Sequence, residues 1–309
     1  MSYYTGNAAN VAAVLTALTN ACAAEGWTWS GGILSKADPG IFVRFDASTE
    51  IAGLTPLRMW GRTAIDSGET PYSVCIVAIN SVAITYPVTY HIFVFASEVF
   101  MVINYSDKFQ WLAFGQSDQP GLGSTGNWIA GSVGYLQNSG VPETINMALD
   151  LSNMNSYTYY VSPGFAWGAY YYFGKACQTL IWNFWIDAGL DSGETNYPWM
   201  QSGKEQTPGI LGSVELIGTQ PNAFNNEGVL IPIKVFKARS ESKYSQVLQV
   251  QNARHIRVDN YTPTEIIALG TDQWMVFPWY LKNTATRNAG TGVTHTGTFG
   301  WAIKYEPPA

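Results

Sequence analysis

The sequence is short of charged residues. Asp, Glu, Lys and Arg make up 12% of its 309 residues, against about 25% in ordinary soluble domains. Because charge keeps proteins apart in solution, a surface this poor in charge favours self-association. The net charge of −6 argues against a general nucleic-acid binder, since such a protein needs an excess of Lys and Arg to displace counterions.

Histidine and cysteine are also scarce. The three histidines stand in no HxH or HExxH spacing, and the sequence contains no CxxC, so no metal site is predicted. Cys22, Cys75 and Cys177 are far apart and lie among apolar neighbours. They are interpreted as free buried thiols, in a protein made in a reducing compartment.

No stretch of the sequence fits an export signal or a membrane span. NVAAVLTALTNACAA is apolar, as the core of a signal peptide is. A signal peptide also needs basic residues before its apolar run, and the first basic residue here is Lys36. No window is long and apolar enough to cross a membrane. Val11, Val14, Leu15, Leu18 and Cys22 fall on one helix face and predict a helix over about Ala8–Ala24, ending at Gly26.

The residues after this helix have the texture of strands. Short β-branched and aromatic runs such as GIFVRFDA, YSVCIVAIN and EVFMVINYSD end in Gly, Asn, Asp or other turn residues, which is typical of an antiparallel meander. VTYHIFVFAS is apolar on both faces, so we expect the helix or another subunit to cover it. The predicted fold class is α+β, mainly β: an N-terminal helix followed by antiparallel meander sheets, sandwich- or barrel-like.

A change of composition divides the chain. Residues 119–164 are rich in Gly, Ser and Asn and predict a long loop region. It separates an N-terminal helix plus antiparallel sheet (1–118) from a second β-rich half (165–309), with one continuous domain as the alternative. Further strands are expected at Ser213–Ile217, Val229–Lys237 and Val247–Val258, with a closing hairpin made by QWMVFPWYLKN and GTFGWAIKYE.

The sequence contains no complete catalytic motif. GQSDQ lacks the closing glycine of a nucleophile elbow, and GLGSTG lacks the lysine of a phosphate loop. A glycosidase needs two carboxylates across a cleft, and no spacing singles out a pair among Asp66/Glu69, Asp187/Asp191/Glu194 and Asp107/Asp118. We therefore predict no enzymatic activity and no catalytic, cofactor-binding or metal-binding residue.

Basic and aromatic residues supply the candidate contacts instead. Six of the sixteen basic residues lie between positions 234 and 257, where they can face a phosphate backbone, an acidic neighbouring subunit or solvent. The twelve tryptophans are interpreted mainly as core and interface anchors. The interface candidates are Lys108, Trp128, Lys234, Lys237, Arg239, Arg254 and Arg257.

Lys108 lies in YSDKFQWLAFGQSD, which we interpret as a turn at Ser106-Asp107 followed by a strand. Alternation places Phe109, Trp111 and Ala113 on one face of this strand and Gln110, Leu112 and Phe114 on the other.

Three stretches resemble virion proteins of tailed bacteriophages. The N-terminal helix ending in AAEGWTW is similar to the opening of many such proteins. YSDKFQWLAFGQSD…TGNWIAGS and GTFGWAIKYE are similar to segments of tail, neck or baseplate structural proteins. The resemblance covers about a third of the chain.

This resemblance implies a non-enzymatic structural subunit of the tail, neck or collar, or baseplate. Such a subunit assembles in the host bacterial cytoplasm and resides in the virion. Its partners are copies of itself, in a symmetric ring or tier, and other virion structural proteins; neither a membrane nor nucleic acid is expected. The alternative is a carbohydrate- or receptor-binding module of a virion that uses exposed Trp or Tyr residues.

Overall fold

The computed structural model describes residues 1–50, 53–70, 73–78, 82–135, 142–143, 171–172, 175–176, 181–189, 200–202, 208–209, 230–239, 243–258, 260–278, 280–282 and 299–307. Within these residues the fold is mainly β, with one helix, three large antiparallel sheets and a two-stranded sheet, which confirms the predicted class.

The elements are numbered in chain order: β1 (Ser2–Ala8), α1 (Val11–Ala24), β2 (Thr28–Ser30), β3 (Ile33–Lys36), β4 (Ile41–Asp46), β5 (Leu57–Arg62), β6 (Ser73–Ile76), β7 (Val88–Val94), β8 (Glu98–Tyr105), β9 (Lys108–Gln116), β10 (Asn127–Gly131), β11 (Val133–Tyr135), β12 (Pro142–Glu143), β13 (Tyr171–Tyr172), β14 (Lys175–Ala176), β15 (Ile181–Ile186), β16 (Met200–Ser202), β17 (Pro208–Gly209), β18 (Ile231–Arg239), β19 (Lys243–Arg257), β20 (Ile266–Leu269), β21 (Asp272–Pro278) and β22 (Phe299–Tyr305).

Three sheets carry the architecture. The central sheet has the order β1-β7-β8-β9-β10-β15-β16. The N-terminal sheet has the order β12-β11-β6-β5-β4-β3-β2, and the C-terminal sheet has the order β17-β18-β19-β22-β21-β20. The strands β13 and β14 form the small fourth sheet.

The central sheet is covered on both faces, as VTYHIFVFAS predicts. Phe93 and Phe95 join a buried cluster shared with the C-terminal sheet. Ile92 and Val94 join a second cluster, shared with α1 and the N-terminal sheet. The fold is therefore layered, and the covering layers of β7 come from the same chain.

The β9 strand follows the predicted alternation. Phe109, Trp111 and Ala113 lie in the cluster shared with the C-terminal sheet, whereas Leu112 and Phe114 lie in the cluster on the helix side. Ser106-Asp107 forms the two-residue loop of the β8–β9 hairpin, with Tyr105 paired to Lys108.

The helix ends as predicted and begins later than predicted. The amides of Gly26 and Trp27 donate to the Ala23 and Cys22 carbonyls, both at 3.1 Å, and Gly26 adopts the positive φ of +78° that a helix-ending glycine favours. The predicted start at Ala8 is wrong, because residues 2–8 pair with β7 as an edge strand. Asn10 then caps the helix by accepting from the Ala13 amide at 2.9 Å.

The predicted loop region at 119–164 contains strands. β10, β11 and β12 lie in it, and β10 is an inner strand of the central sheet between β9 and β15. Gly131 shows why a glycine-rich segment enters a sheet here: a Cβ at this position would lie 2.8 Å from a Leu112 methyl and 3.0 Å from the Val74 Cβ. The central sheet thus takes strands from both predicted halves.

In the second half, β18 and β19 lie at two of the expected strands, whereas Ser213–Ile217 lies outside the described residues. The closing hairpin is present as β21 and β22, with Phe277 paired to Trp301.

Candidate functional site

The outer face of the N-terminal sheet carries a compact group of charged and aromatic side chains. Ile41, Val43 and Phe45 of β4 point into the core, so Arg44 and Asp46 point outward because side chains alternate along a strand. In the pairing with β5, Arg44 lies opposite Trp60 and Asp46 lies opposite Arg58. We call Arg44, Asp46, Arg58, Trp60, Arg62 and Glu69 the arginine–tryptophan cluster.

Two guanidinium groups contact the Trp60 ring in this cluster. The Cζ atom of Arg44 lies 3.8 Å from the ring centroid and that of Arg58 lies 4.7 Å from it. Both distances are within the range of cation–π attraction. Trp60 is buried although it lies on the outer face of its sheet.

Two carboxylates balance most of the positive charge. Glu69 accepts from Arg44 Nε at 2.6 Å and from Arg44 Nη2 at 2.7 Å, and it lies 3.7 Å from Arg62 Nε. Asp46 pairs with Arg58. Three arginines and two carboxylates leave the cluster with a formal charge of +1.

Asp46 stays ionised over the usual pH range. Partial burial raises the pKa of its carboxyl group, but hydrogen bonds from Thr49, Ser48 and Arg58 outweigh the burial and hold this pKa well below its ordinary value. The arginines of the cluster therefore keep a permanently charged partner.

A second charged group joins the central and C-terminal sheets at an irregularity in β19. Lys234 of β18 pairs with Gln249, but Pro232, two residues earlier, pairs with Arg254. The extra residues of β19 form a bulge, which leaves backbone groups without ladder partners.

The carboxylate of Glu98, at the start of β8, accepts hydrogen bonds from the backbone amides that the bulge leaves without ladder partners. It accepts from the amides of Gln251 and Asn252 and from Asn252 Nδ2, each at 2.9 Å. Complete burial raises the pKa of Glu98 to about 7, against the lowering effect of these hydrogen bonds and of Arg254.

Arg254 supplies the hydrogen-bond donor for the carbonyls of the bulge. Its Nη1 donates to the carbonyls of Val250, Gln251 and Ala253 at 3.1, 2.8 and 2.8 Å. Its Cζ atom lies 4.9 Å from the centroid of the Trp274 ring. This predicted interface residue is therefore engaged within its own chain.

The other predicted interface residues differ in accessibility. Trp128 is fully buried in the cluster between the central and C-terminal sheets, because β10 is an inner strand; this position corrects its prediction as a surface contact. Lys108 is partly exposed and pairs with Asp107 at 2.6 Å. Lys234 is partly exposed on β18. Lys237, Arg239 and Arg257 lie on β18 and β19, and their side chains are outside the described residues.

Among the described residues, Asp66/Glu69 and Asp107/Asp118 do not form a carboxylate pair of the kind that a glycosidase needs. Asp107 and Asp118 lie at opposite ends of the nine-residue β9. A strand of this length spans about 30 Å. Glu69 is engaged by Arg44, whereas Asp66 is exposed on the preceding turn.

The third set of candidate acids is only partly described. Asp187 is buried, and its Oδ2 accepts from the hydroxyls of Ser124 and Thr125, each at 2.6 Å. Asp191 and Glu194 lie outside the described residues.

Two edge strands expose apolar side chains. β20 is the last strand of the C-terminal sheet, and Ile266 and Leu269 are 45% and 58% exposed. β2 is the last strand of the N-terminal sheet, and Trp29 is 38% exposed. The run GWTWSGG, which contains β2, has the texture of a strand, whereas the four-residue β20 was not predicted from the sequence.

The sequence contains a signal for the cluster but none for the bulge. In PLRMWGR, Arg58, Trp60 and Arg62 alternate with Met59 and Gly61, which places them together on one strand face. Glu98 is the single acid at the start of an apolar strand, but its partners lie more than 150 residues away.

Comparison with known proteins adds no family. No protein-family model matches the chain, and no curated protein matches it significantly. None of the described helices has the length and apolar character that a membrane span requires. The fold defines a layered, mainly antiparallel β protein.

Proposed function

We propose that the chain is a non-enzymatic structural subunit of a bacteriophage particle, of the tail, neck or baseplate type. Copies of it form a symmetric ring or tier in the virion and contact other virion structural proteins, after assembly in the host bacterial cytoplasm. The resemblance of its three stretches to such proteins and its low charge content support this proposal.

The observation that carries the proposal is the apolar edge strand β20. Its sequence is IIAL, with neither charge nor proline, and three of its four residues, all but Ile267, are exposed. Soluble proteins usually protect such edges with Lys, Pro or a bulge, because an open edge pairs with other chains. An edge of this kind suits a subunit whose neighbour covers it.

The mass of the purified protein in solution tests this proposal. We expect wild type to form a closed multimer by light scattering, and Leu269→Lys to shift the distribution towards smaller species, because a charge then interrupts the edge. The control is Thr28→Lys, which adds the same charge to the exposed edge strand β2, away from β20. A wild type that stays monomeric at all concentrations, also with partner proteins, contradicts the proposal.

A carbohydrate- or receptor-binding module of a virion is the second candidate, and exposed Trp29 favours it. The structure describes the side chains of eight tryptophans, and the other seven are buried: Trp27, Trp60, Trp111, Trp128, Trp185, Trp274 and Trp301. An exposed indole ring offers a flat face to the apolar side of a sugar. A glycan array with wild type and Trp29→Ala tests this candidate, and the absence of any hit that Trp29→Ala abolishes contradicts it.

A further inference from the structure

Several buried hydrogen-bond donors on the outer face of the N-terminal sheet lack an acceptor among the described residues. They are Arg58 Nε, Trp60 Nε1, Ser73 Oγ and Arg62 Nε, the last of which lies 3.7 Å from Glu69 Oε2, beyond hydrogen-bond distance. Buried donors are normally paired, because an unpaired one loses its hydrogen bonds to water without replacement. Four such donors on one face require an explanation.

The pairing of the strands brings these donors together. Arg58, Trp60 and Arg62 are alternate residues of β5 and so share the outer face. On the neighbouring strand, Val74 pairs with Met59 and points into the core. Ser73, one residue earlier, therefore points outward beside Trp60.

The charge of this face selects the kind of acceptor. The formal charge of this face is +1. Its guanidinium groups can donate two hydrogen bonds at once to the oxygens of a planar carboxylate or of a tetrahedral phosphate. One oxyanion also offers enough lone pairs for several donors at once. A neutral acceptor would leave the excess positive charge unbalanced.

Glu69 shows how an oxyanion is held on this face. Its carboxylate forms the forked contact with Arg44, and both side chains are partly exposed, at 28% and 29%. An incoming oxyanion reaches the cluster from this exposed side and competes with Glu69 for Arg44 and Arg62.

We propose that the arginine–tryptophan cluster, together with Ser73, is a binding site for a small oxyanion, a carboxylate or a phosphate. The ligand displaces Glu69 from the guanidinium groups and accepts from the buried donors beneath them. This site does not depend on the virion role proposed above.

Binding to the full-length protein tests the site. Titration calorimetry and thermal unfolding are measured with sodium phosphate and with sodium acetate, each against sodium chloride at equal ionic strength. We expect saturable binding of at least one of the two oxyanions and a rise in Tm beyond that in chloride. Phosphate binding and acetate binding in separate experiments distinguish the two sources of the oxyanion.

Two variants should change the affinity in opposite directions. Ser73→Ala removes one donor and should weaken binding about tenfold, because hydrogen bonds to charged groups are strong. Glu69→Gln removes the competing carboxylate and should tighten binding severalfold. The matched control is Ser132→Ala, a buried serine whose hydroxyl already contacts Trp111, and it should bind as wild type does.

Three results would overturn the proposal. The first is a Tm shift in phosphate and acetate no larger than in chloride, since that shift is ionic screening. The second is equal affinity in wild type and Ser73→Ala, which means that water satisfies the donors. The third is weaker binding in Glu69→Gln, which means that Glu69 does not occupy the ligand's place.

Discussion

Two regions of this protein place an arginine over a tryptophan, and they use the pair differently. In the β19 bulge, Arg254 lies over Trp274 and donates to three carbonyls of its own chain. In the arginine–tryptophan cluster, Arg44 lies over Trp60 and pairs with a partly exposed carboxylate. The first arrangement stabilises the fold, whereas the second faces outward and has hydrogen-bond donors without acceptors among the described residues.

The difference follows from the surroundings of each arginine. The bulge in β19 frees partly buried backbone groups, and the buried Glu98 and the Arg254 side chain form hydrogen bonds with them. On the outer face of the N-terminal sheet, Cys75 is buried together with Val133 and Tyr280, whereas Arg44 and Glu69 of the cluster remain partly exposed. Substitutions should therefore cost much more stability in the bulge than in the cluster.

The largest effect is expected from Arg254→Met in the bulge. It leaves three partly buried carbonyls without their donor and the fully buried Glu98 without its nearby positive charge, so we expect a loss of about 3–5 kcal/mol in the free energy of unfolding. Chemical denaturation measures this loss. The control is Lys304→Met, which breaks a more exposed ion pair with Asp272 and should cost less than about 1 kcal/mol.

The next effect is a pH dependence that originates at Glu98. Its pKa is about 7 in the folded protein and 4.5 ordinarily, so folding favours the protonated form. The stability due to this group is complete below about pH 4.5 and is lost as the pH rises through 7, by about 3 kcal/mol.

Unfolding free energies between pH 4.5 and 8 for wild type and Glu98→Gln test this prediction. The stability of wild type relative to Glu98→Gln should fall by about 3 kcal/mol as the pH rises from 4.5 to 8, because only wild type ionises at this position. A relative stability of wild type that stays constant, or that rises with pH, would contradict this prediction.

The smallest effect is expected in the cluster. Glu69→Gln weakens a forked contact between two partly exposed side chains, so we expect a loss below about 1 kcal/mol at neutral pH. Denaturation in low and high salt checks it, since screening should reduce the loss further. A loss as large as that of Arg254→Met would remove the contrast between the two regions.

Local patterns predicted the parts of the fold that local patterns control. The end of α1 at Gly26, the alternation along β9 and the β21–β22 hairpin follow from periodicity and turn residues within a few positions. The strand β1 was missed because its partner β7 lies more than 80 residues away. β10 was missed because it lies in a glycine-rich segment that indicates a loop; the close approach of Val74 to Gly131 is visible only in the structure.

The candidate sites show the same limit. The interface prediction for Trp128 failed because a tryptophan pattern does not distinguish the core from a surface, whereas its place in an inner strand does. Arg254 belongs to a run of basic residues that suggests a charged surface, yet its contacts are set by a bulge that the sequence does not mark. Only the alternation of Arg58, Trp60 and Arg62 was readable from the sequence alone.

An image of the assembled protein tests the central proposal most directly. Electron microscopy of the purified full-length chain, alone and with other virion proteins, should show a closed ring or tier in which the β20 edge of the C-terminal sheet faces a neighbouring copy. Single, unassembled particles under all these conditions would contradict the account, and so would a ring in which β20 faces solvent in every copy.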